Sequence, residues 1–424
     1  MENRHDGTVH DMKNFLASLG DRFWVPPLGF AIAAAALALA LVTLDDVLDT
    51  SLTARFLFAG GPEGARALLS AVITSMISFT GLVFSITIVV LQLTSSQFSP
   101  RVLRTFLRDR FNQLALGVFI ATFVYALVVL RSVRGTAEVD PFVPQLAVTV
   151  AFGFVLASVL VFISYIHHIA QSIRVATIVT KIGNDTRRLI ERQHPRDAQH
   201  REPLPVPDGV PARIPIASPG VVQRVDDEAL RRLAEKHDIT IAVRRAVGEF
   251  VPEGALLLDV YGDDVPEHDT LRAAVHLGNE RNFDEDVGFG LRQLVDIAER
   301  ALSPGINDPT TAVQVLDQLH DLLRRLATRP LPPRQACTDT GKLAVDVPQP
   351  TFGDYLTLAV AEIAHWGSDA ERIQRRLAVI LNDLREAALP QHRPAVARLL
   401  ARYAGEWEGL TDADALSASD IALR

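Results

Sequence analysis

Apolar residues are distributed unevenly along the chain. Nearly all the long apolar runs fall in residues 1–174, whereas residues 175–424 have the mixed pattern of a soluble protein. A helix needs about 20 apolar residues to cross about 30 Å of hydrocarbon. Four segments reach that length. Each is too long and has too few charged residues to be a typical buried helix of a soluble protein. The predicted spans are residues 24–44, a segment within 67–100, residues 113–130 and residues 144–167.

Basic residues near the span ends predict the orientation, because cytoplasmic loops carry an excess of Lys and Arg. The N-terminal tail, the second loop and the segment after the fourth span are rich in these residues, whereas the first and third loops are not. We therefore expect both termini and the second loop in the cytoplasm. His167 and His168 close the fourth span, either as a pH-sensitive element or as an interfacial pair without function.

The second span carries its polar residues on one side. The segment 67–100 contains no charged residue, and as a straight helix it would be about 51 Å long. Six small or polar residues follow one another at spacings of 4, 4, 3, 4 and 7, which places them within an arc of about 80°. This polar stripe consists of Ser70, Thr74, Ser78, Gly81, Ser85 and Gln92. A second row, Thr80, Thr87 and Thr94, lies on a neighbouring face.

The polar stripe is open to two interpretations. Small and hydroxylated residues let membrane helices pack closely and hydrogen-bond to each other. Alternatively, one such helix from each subunit of a ring would line a hydrated path. No span carries Asp, Glu, Lys or Arg at mid-depth, and proton pumps and ion-coupled carriers usually need such a group. If the protein conducts anything, a symmetric oligomeric channel is therefore the more economical design.

The C-terminal half predicts an α+β domain. We expect residues 169–193 to continue the fourth span as a basic helix, and the Pro-rich residues 194–211 to form a linker. Alternating apolar residues around turn signals predict strands at 213–217, 221–225 and 239–243, with a helix over 227–237 capped by Asp226 or Asp227. The sequence 248–257 resembles the strand–turn–strand hairpin of small barrel-sandwich domains, which predicts a small β-barrel-like module. That hairpin has no lysine to carry biotin or lipoate.

The remainder is predicted to be mainly helical. Helices are expected at 284–302 and from Pro309 onward, with Gly305 ending the first and Asp308 capping the second. Residues 327–350 are predicted to form a Pro-rich loop that contains Cys337, and further helices fill 355–403. The predicted organisation is a tail (1–23), a four-helix membrane domain (24–168), a juxtamembrane helix and linker (169–211), the small module (212–265) and the helical region (266–424).

Composition and motifs exclude several functions. A net charge of −8 disfavours a nucleic-acid partner, and the single cysteine excludes an intrachain disulfide and any CxxC site. The sequence contains no P-loop, GxSxG, HExxH or EF-hand motif, so we expect no enzyme, no cofactor and no metal. The acidic run 284–286 suggests either a metal or ligand site or, more simply, a helix start.

The turn between the two predicted helices offers a candidate ligand site. A helix N-terminus with exposed N–H groups can bind an anion, although a carboxylate there would oppose a negative ligand. The alternative is a plain turn between helices. The candidate residues are Arg300, Ser303, Gly305, Asn307 and Asp308.

One resemblance emerges from these motifs. The run ERALSPGINDP from Glu299 to Pro309, together with Gln92-Leu93 and Ser99-Pro100-Arg101, resembles a bacterial family of predicted membrane proteins with a domain of unknown function. The resemblance covers most of the chain. It implies a topology and a bacterial inner-membrane location, and it brings no substrate, cofactor or catalytic residue.

These observations lead to one main functional hypothesis and one alternative. The main hypothesis is a homo-oligomeric channel or pore-like protein in the lipid bilayer, passing an ion or small solute, with the cytoplasmic domain gating or assembling it. The alternative is a non-conducting sensor or scaffold whose cytoplasmic domain binds a ligand or protein. The polar stripe would then serve only to pack helices.

Overall fold

The computed structural model describes residues 24–47, 58–97, 109–136, 139–172, 174–197 and 201–407. The chain folds into two compact units that divide between Arg174 and Val175. Some predicted features lie outside the described residues: the N-terminal tail, the motif Ser99-Pro100-Arg101 with the arginines after it up to residue 108, and the last residues from 408.

Among its described residues, the N-terminal unit contains four helices that are long and apolar enough to cross a membrane, so this prediction is confirmed. They are α1 (Val25–Val47), α2 (Pro62–Gln97), α3 (Arg110–Ser132) and α4 (Gln145–Ser172). A short antiparallel hairpin of β1 (Arg134–Thr136) and β2 (Val139–Phe142) connects α3 to α4. Helix α2 has 36 residues and is therefore about 54 Å long, which exceeds one hydrocarbon core.

Helix α3 lies at the centre of this unit and packs against the other three helices. One aromatic ring from each of α2, α3 and α4 meets in its core: Phe79 lies 4.8 Å from Phe162 and 6.3 Å from Phe119, between ring centroids. The contact between α1 and α3 needs a glycine, since a Cβ at Gly117 would lie 2.8 Å from the Phe30 ring. Three outer helices thus share one central partner.

The C-terminal unit begins with helix α5 (Val175–Gln193) and continues with two β-sheets. Its strands are β3 (Ala212–Pro215), β4 (Gly220–Val225), β5 (Thr240–Val243), β6 (Phe250–Val251), β7 (Leu256–Tyr261), β8 (Val275–Gly278), β9 (Arg334–Cys337) and β10 (Leu343–Val347). The larger sheet has the order β3-β7-β5-β10-β9, with β5 and β10 parallel, and the smaller antiparallel sheet has the order β6-β4-β8. Helix α6 (Asp227–His237) packs on β5, β9 and β10, and α7 (His268–Ala273) packs on β8.

The hairpin expected at residues 248–257 is not formed, and the β-barrel-like module remains unconfirmed. Strand β6 pairs with β4 in the smaller sheet, whereas β7 pairs with β3 and β5 in the larger one. The turn after Pro252 therefore carries the chain from one sheet to the other. In the described residues the two sheets stay separate and close into no barrel.

The prediction of a loop over residues 327–350 is wrong for residues 334–337 and 343–347. Strands β9 and β10 form there, and β10 takes a central position beside β5. The prolines that suggested a loop lie outside both strands. The apolar stretch from Leu343 to Val347 is short, and only its long-range pairing with β5 makes it a strand.

The helical part consists of α8 (Val287–Leu302), α9 (Pro309–Ala327), α10 (Phe352–Trp366), α11 (Glu371–Ala387) and α12 (Arg393–Trp407). Helix α8 packs against α9, α10 and α5. Helix α5 approaches its neighbours closely, since a Cβ at Gly290 of α8 would lie 2.0 Å from the Thr186 hydroxyl. A Cβ at Gly183 would similarly lie 2.4 Å from the Gln318 amide of α9.

Helix α5 differs from the predicted extension of the fourth span. Helix α4 ends at Ser172 and a separate helix starts at Val175. Ile182 lies on its packed side, whereas Ala176 is exposed. The buried residues are Val179, Ile182, Gly183, Thr186, Leu189 and Ile190.

A buried arginine fixes the end of α5. Arg329, 1% exposed, donates from Nη1 to the carbonyl of His194 (2.8 Å) and from Nη2 to Glu191 (2.7 Å). Its own carbonyl lies 3.0 Å from Nε2 of His392. The guanidinium therefore satisfies C-terminal carbonyls that helix α5 cannot satisfy itself.

His194 is buried beside this arginine, and neither ring nitrogen has a hydrogen-bond partner among the described residues. Burial and the nearby Arg329 charge lower the pKa of His194 to about 4. The unfolded chain then binds the proton more readily than the folded chain. We expect the free energy of unfolding to fall by up to about 3 kcal/mol as the pH drops from about 6.5 to about 4.

Melting temperatures of the full chain across this pH range check the prediction. The variant His194→Phe should lose much of the pH dependence. The variant His237→Gln, which changes a histidine paired with Asp264, should retain it. An unchanged pH dependence in His194→Phe would contradict the assignment.

Candidate functional site

The polar stripe of α2 is exposed on the surface of the N-terminal unit. All six of its residues, Ser70, Thr74, Ser78, Gly81, Ser85 and Gln92, are exposed. The other three long helices therefore cover a different side of α2. Packing between the described helices of this chain therefore does not cover the stripe.

The second polar row of α2 behaves in the opposite way. Thr87 is buried and its hydroxyl lies 2.9 Å from the Tyr165 hydroxyl of α4. Thr80 is half-buried and donates to the carbonyl of Met76 (2.7 Å). The side chain of Thr94 lies outside the described residues. Within this row, Thr87 joins two helices of the chain, which is the role that hydroxyls often have in membrane helices.

Two hydroxyls of the stripe are bonded along their own helix. Ser78 donates to the carbonyl of Thr74 (3.1 Å), and Ser85 donates to the carbonyl of Gly81 (2.9 Å). Such bonds lower the cost of a hydroxyl in apolar surroundings while leaving its lone pairs available. Large apolar side chains are exposed on the same helix at Ile77, Leu82, Phe84, Ile88 and Val89. The exposed side of α2 thus presents a polar line among apolar residues.

The predicted ligand loop is a tight, exposed turn. Helix α8 ends at Leu302 with Ser303 as its C-cap, so the expectation that Gly305 ends it is wrong. The amides of Ile306 and Asn307 both donate to the carbonyl of Ser303, and the amide of Asp308 donates to the carbonyl of Ala301 (2.7 Å). Asn307 adopts a left-handed conformation, with φ of 49°. Gly305 and Arg300 are exposed.

The helix N-terminus in this loop already holds a carboxylate. Asp308 caps α9 as predicted, accepting from the amide of Thr311 (3.1 Å) and from its hydroxyl (2.5 Å). These hydrogen bonds lower the pKa of Asp308 below its usual value despite some burial. A negative ligand would have to displace a charge of its own sign. The geometry therefore favours the plain turn over the anion site.

The acidic run 284–286 is used for structure. Asp286, which is buried, caps α8 and takes two hydrogen bonds from Arg281 (2.7 and 2.8 Å). Glu285 accepts from Arg334 (2.9 Å). In the described part of the chain no group of three His, Cys, Asp or Glu residues has the arrangement needed to hold a metal ion. The helix-start interpretation therefore describes these residues.

Two polar groupings were missed or left open by the sequence analysis. His168 pairs with Asp109, the N-cap of α3, at 2.9 Å, so one member of the interfacial histidine pair joins two spans. The other grouping surrounds Arg292 and includes Asp296, Glu299 and Glu362. Spacings of four and three residues along α8 would have revealed the first three as one helix face. Nothing in the sequence indicates that Glu362 joins them.

Comparisons with known proteins place the chain among membrane proteins. A family model described as "Predicted membrane protein (DUF2254)" matches residues 20–383. The uncharacterized protein Mb1321c of Mycobacterium bovis is 35% identical over 402 residues, which is 92% of this chain and 77% of the relative. The uncharacterized protein Rv1290c of Mycobacterium tuberculosis matches with the same identity and coverage. No solved structure matches the chain significantly.

The role of Asp308 can be tested by substitution. We expect Asp308→Ala to lower the free energy of unfolding by about 1 kcal/mol, because α9 loses its cap, and Asp308→Asn to cost less. Thermal melting of the full chain measures both variants. Millimolar inorganic phosphate should leave the melting temperature of the parent unchanged. A clear stabilisation by phosphate that Arg300→Gln abolishes would restore the anion site.

Proposed function

We infer that this chain, which belongs to the family of predicted membrane proteins (DUF2254), works as a homo-oligomeric, channel-like protein whose α2 helices face one another. One observation carries the proposal. The polar stripe is exposed on α2, whereas other polar side chains of the same helices are buried in hydrogen bonds between helices, such as Thr87 with Tyr165 and Thr122 with Ser158.

Facing lipid would be unfavourable for this side of α2. Lipid tails cannot hydrogen-bond, and a polar group without a partner there costs free energy. The serine hydroxyls reduce that cost by bonding to their own helix. The Gln92 amide has two donors and an acceptor, so it gains most from water or from another copy of the chain. We therefore place the stripe toward other subunits.

A closed ring satisfies this requirement for every subunit at once. Soluble homo-oligomers usually have closed symmetry, and a closed ring of this chain would bring one α2 per subunit to its axis. The lining would then consist of hydroxyl groups and amides without a formal charge. Such a lining suits water, a small neutral solute or an ion that keeps much of its hydration.

The C-terminal unit would act as the gating or assembly part. Its first helix, α5, begins three residues after α4 ends and is held firmly to the unit by Arg329, Gly183 and Gly290. We place both termini in the cytoplasm of a bacterial cell, from the distribution of Lys and Arg. The proposal assigns no enzymatic activity and no cofactor.

Cross-linking tests whether the stripes face each other. Cys337 is exposed and is first replaced by Ser, so that an introduced cysteine is the only one. We expect Ser85→Cys to give covalent dimers on mild oxidation in native membranes. The control is Ile163→Cys, because Ile163 lies among apolar residues of α4 and is itself 61% exposed. We expect this variant to give few covalent dimers. Equal yields at both positions would contradict the proposed interface.

Flux measurements test whether the assembly conducts. In liposomes with equal amounts of reconstituted protein, we expect water or small-solute flux above that of protein-free vesicles. Ser85→Leu and Gln92→Leu should reduce it toward background because they replace polar lining with apolar side chains. The matched control Ile163→Leu should have no effect. If α2 cross-links but the flux of the parent protein does not exceed that of protein-free vesicles, the channel hypothesis is wrong. The non-conducting scaffold would then be the remaining interpretation.

A further inference from the structure

Arg292 binds three carboxylates on two helices. Its Nε donates to Asp296 (2.5 Å) and its Nη2 to Glu299 (2.9 Å), both on α8. Its Nη1 donates to Glu362, which lies on α10. The side chains of Arg292 and Glu299 are about four-fifths buried, with exposures of 22% and 20%. This grouping is therefore part of the contact between α8 and α10.

The carboxyl groups of Glu299 and Glu362 bind neighbouring nitrogens of this one guanidinium and therefore lie close together. Negative charges held close together disfavour the ionisation of both groups, so one of the two carboxyls retains a proton. With that proton, two negative charges face one guanidinium. Without it, three negative charges face the same guanidinium, and Glu299 repels Glu362 across the helix contact.

The surroundings place the loss of this proton near neutral pH. Burial and the neighbouring Glu362 carboxyl raise the pKa of Glu299 to about 7, against the attraction of Arg292. Burial opposes ionisation of Glu362 too, but the neighbouring Glu299 carboxyl and the hydrogen bond from Arg292 keep the pKa of Glu362 below its usual value. Glu299 is therefore the member of the pair that holds the proton.

Charges on the other packed helices are engaged elsewhere. Asp321 of α9 pairs with Arg187 of α5 and with Arg325, and Asp383 of α11 pairs with His320 and Arg324. Arg376 of α11 pairs with Asp317. Arg300, next to Glu299, is exposed. The charged groups that act on Glu299 among the described residues are Arg292, Asp296 and Glu362.

We propose that Arg292, Glu299 and Glu362 form a proton-sensitive clamp between α8 and α10, which is closed in mild acid and loosens as the pH rises through neutrality. The clamp adds a regulatory property and does not depend on the proposed channel. The clamp lies close to the ends of both helices. Glu299 lies one turn before the 303–308 turn that leads into α9. Glu362 lies one turn before Trp366, where α10 ends.

Trp366 supplies the reporter, because it is 48% exposed and lies four residues after Glu362. The full chain is studied in nanodiscs with Trp24→Phe and Trp407→Phe, which leaves Trp366 as its single tryptophan. We expect its fluorescence emission and its quenching by acrylamide to change with a midpoint near pH 7. Glu299→Gln keeps a hydrogen-bond donor without a titrating group, so its signal should stay at the low-pH value throughout.

Two further variants keep the test decisive. Glu362→Gln removes the neighbouring charge and should move the midpoint at least one pH unit lower. His365→Gln tests whether this histidine, whose ring lies 5.5 Å from that of Trp366, causes the fluorescence change; we expect the midpoint to stay near pH 7. The control Glu371→Gln removes an exposed acid paired with Arg375, and we expect it to leave the midpoint unchanged. A flat parent signal, a midpoint that survives Glu299→Gln, or one that disappears in His365→Gln would overturn the clamp.

Discussion

A polar group surrounded by apolar side chains must find a hydrogen-bond partner, and this constraint organises both units of the protein. In the N-terminal unit, the hydroxyls of Thr87 and Tyr165 pair between α2 and α4. Asp45 at the end of α1 accepts from the first amides of α4, at 3.2 and 3.0 Å. Helices made almost entirely of apolar residues are thereby held in one register. The exposed stripe of α2 differs from these pairs, since the hydroxyls of Ser78 and Ser85 bond to carbonyls of their own helix and not to another one.

The same constraint acts through charge in the C-terminal unit. Arg329 is fully buried, and its bonds to the end of α5 join that helix to α9 and to the start of α12. Close contacts at Gly183 and Gly290 also hold α5 against α9 and α8. Where buried charges balance poorly, as around Arg292, the structure becomes responsive to protons. The bonds of Arg329, which fix α5, and the proton sensitivity proposed for the Arg292 cluster therefore both arise from the cost of burying charge.

Particular elements show how far the sequence could lead. Asp308 was recognisable as a helix cap, and the cap of α6 could be narrowed to Asp226 or Asp227, because capping depends on residues within one turn. Strand β10 was missed, since five residues among prolines carry little local signal and the strand depends on β5, about a hundred residues away. The turn after Pro252 was visible, but the sheets to which its two strands belong were not. For the candidate site, the spacing of the polar stripe was readable, whereas the participation of Glu362 in the Arg292 cluster was not.

The sequence by itself determined the four long apolar helices, the polar stripe on the second of them and the capped starts of α6 and α9. Composition, periodicity and short-range hydrogen bonds suffice for these features. Only the tertiary structure decided which side of α2 is covered, which strands share a sheet, and which carboxylates surround Arg292. These outcomes depend on contacts between residues far apart in the chain, and a local sequence pattern does not identify such partners.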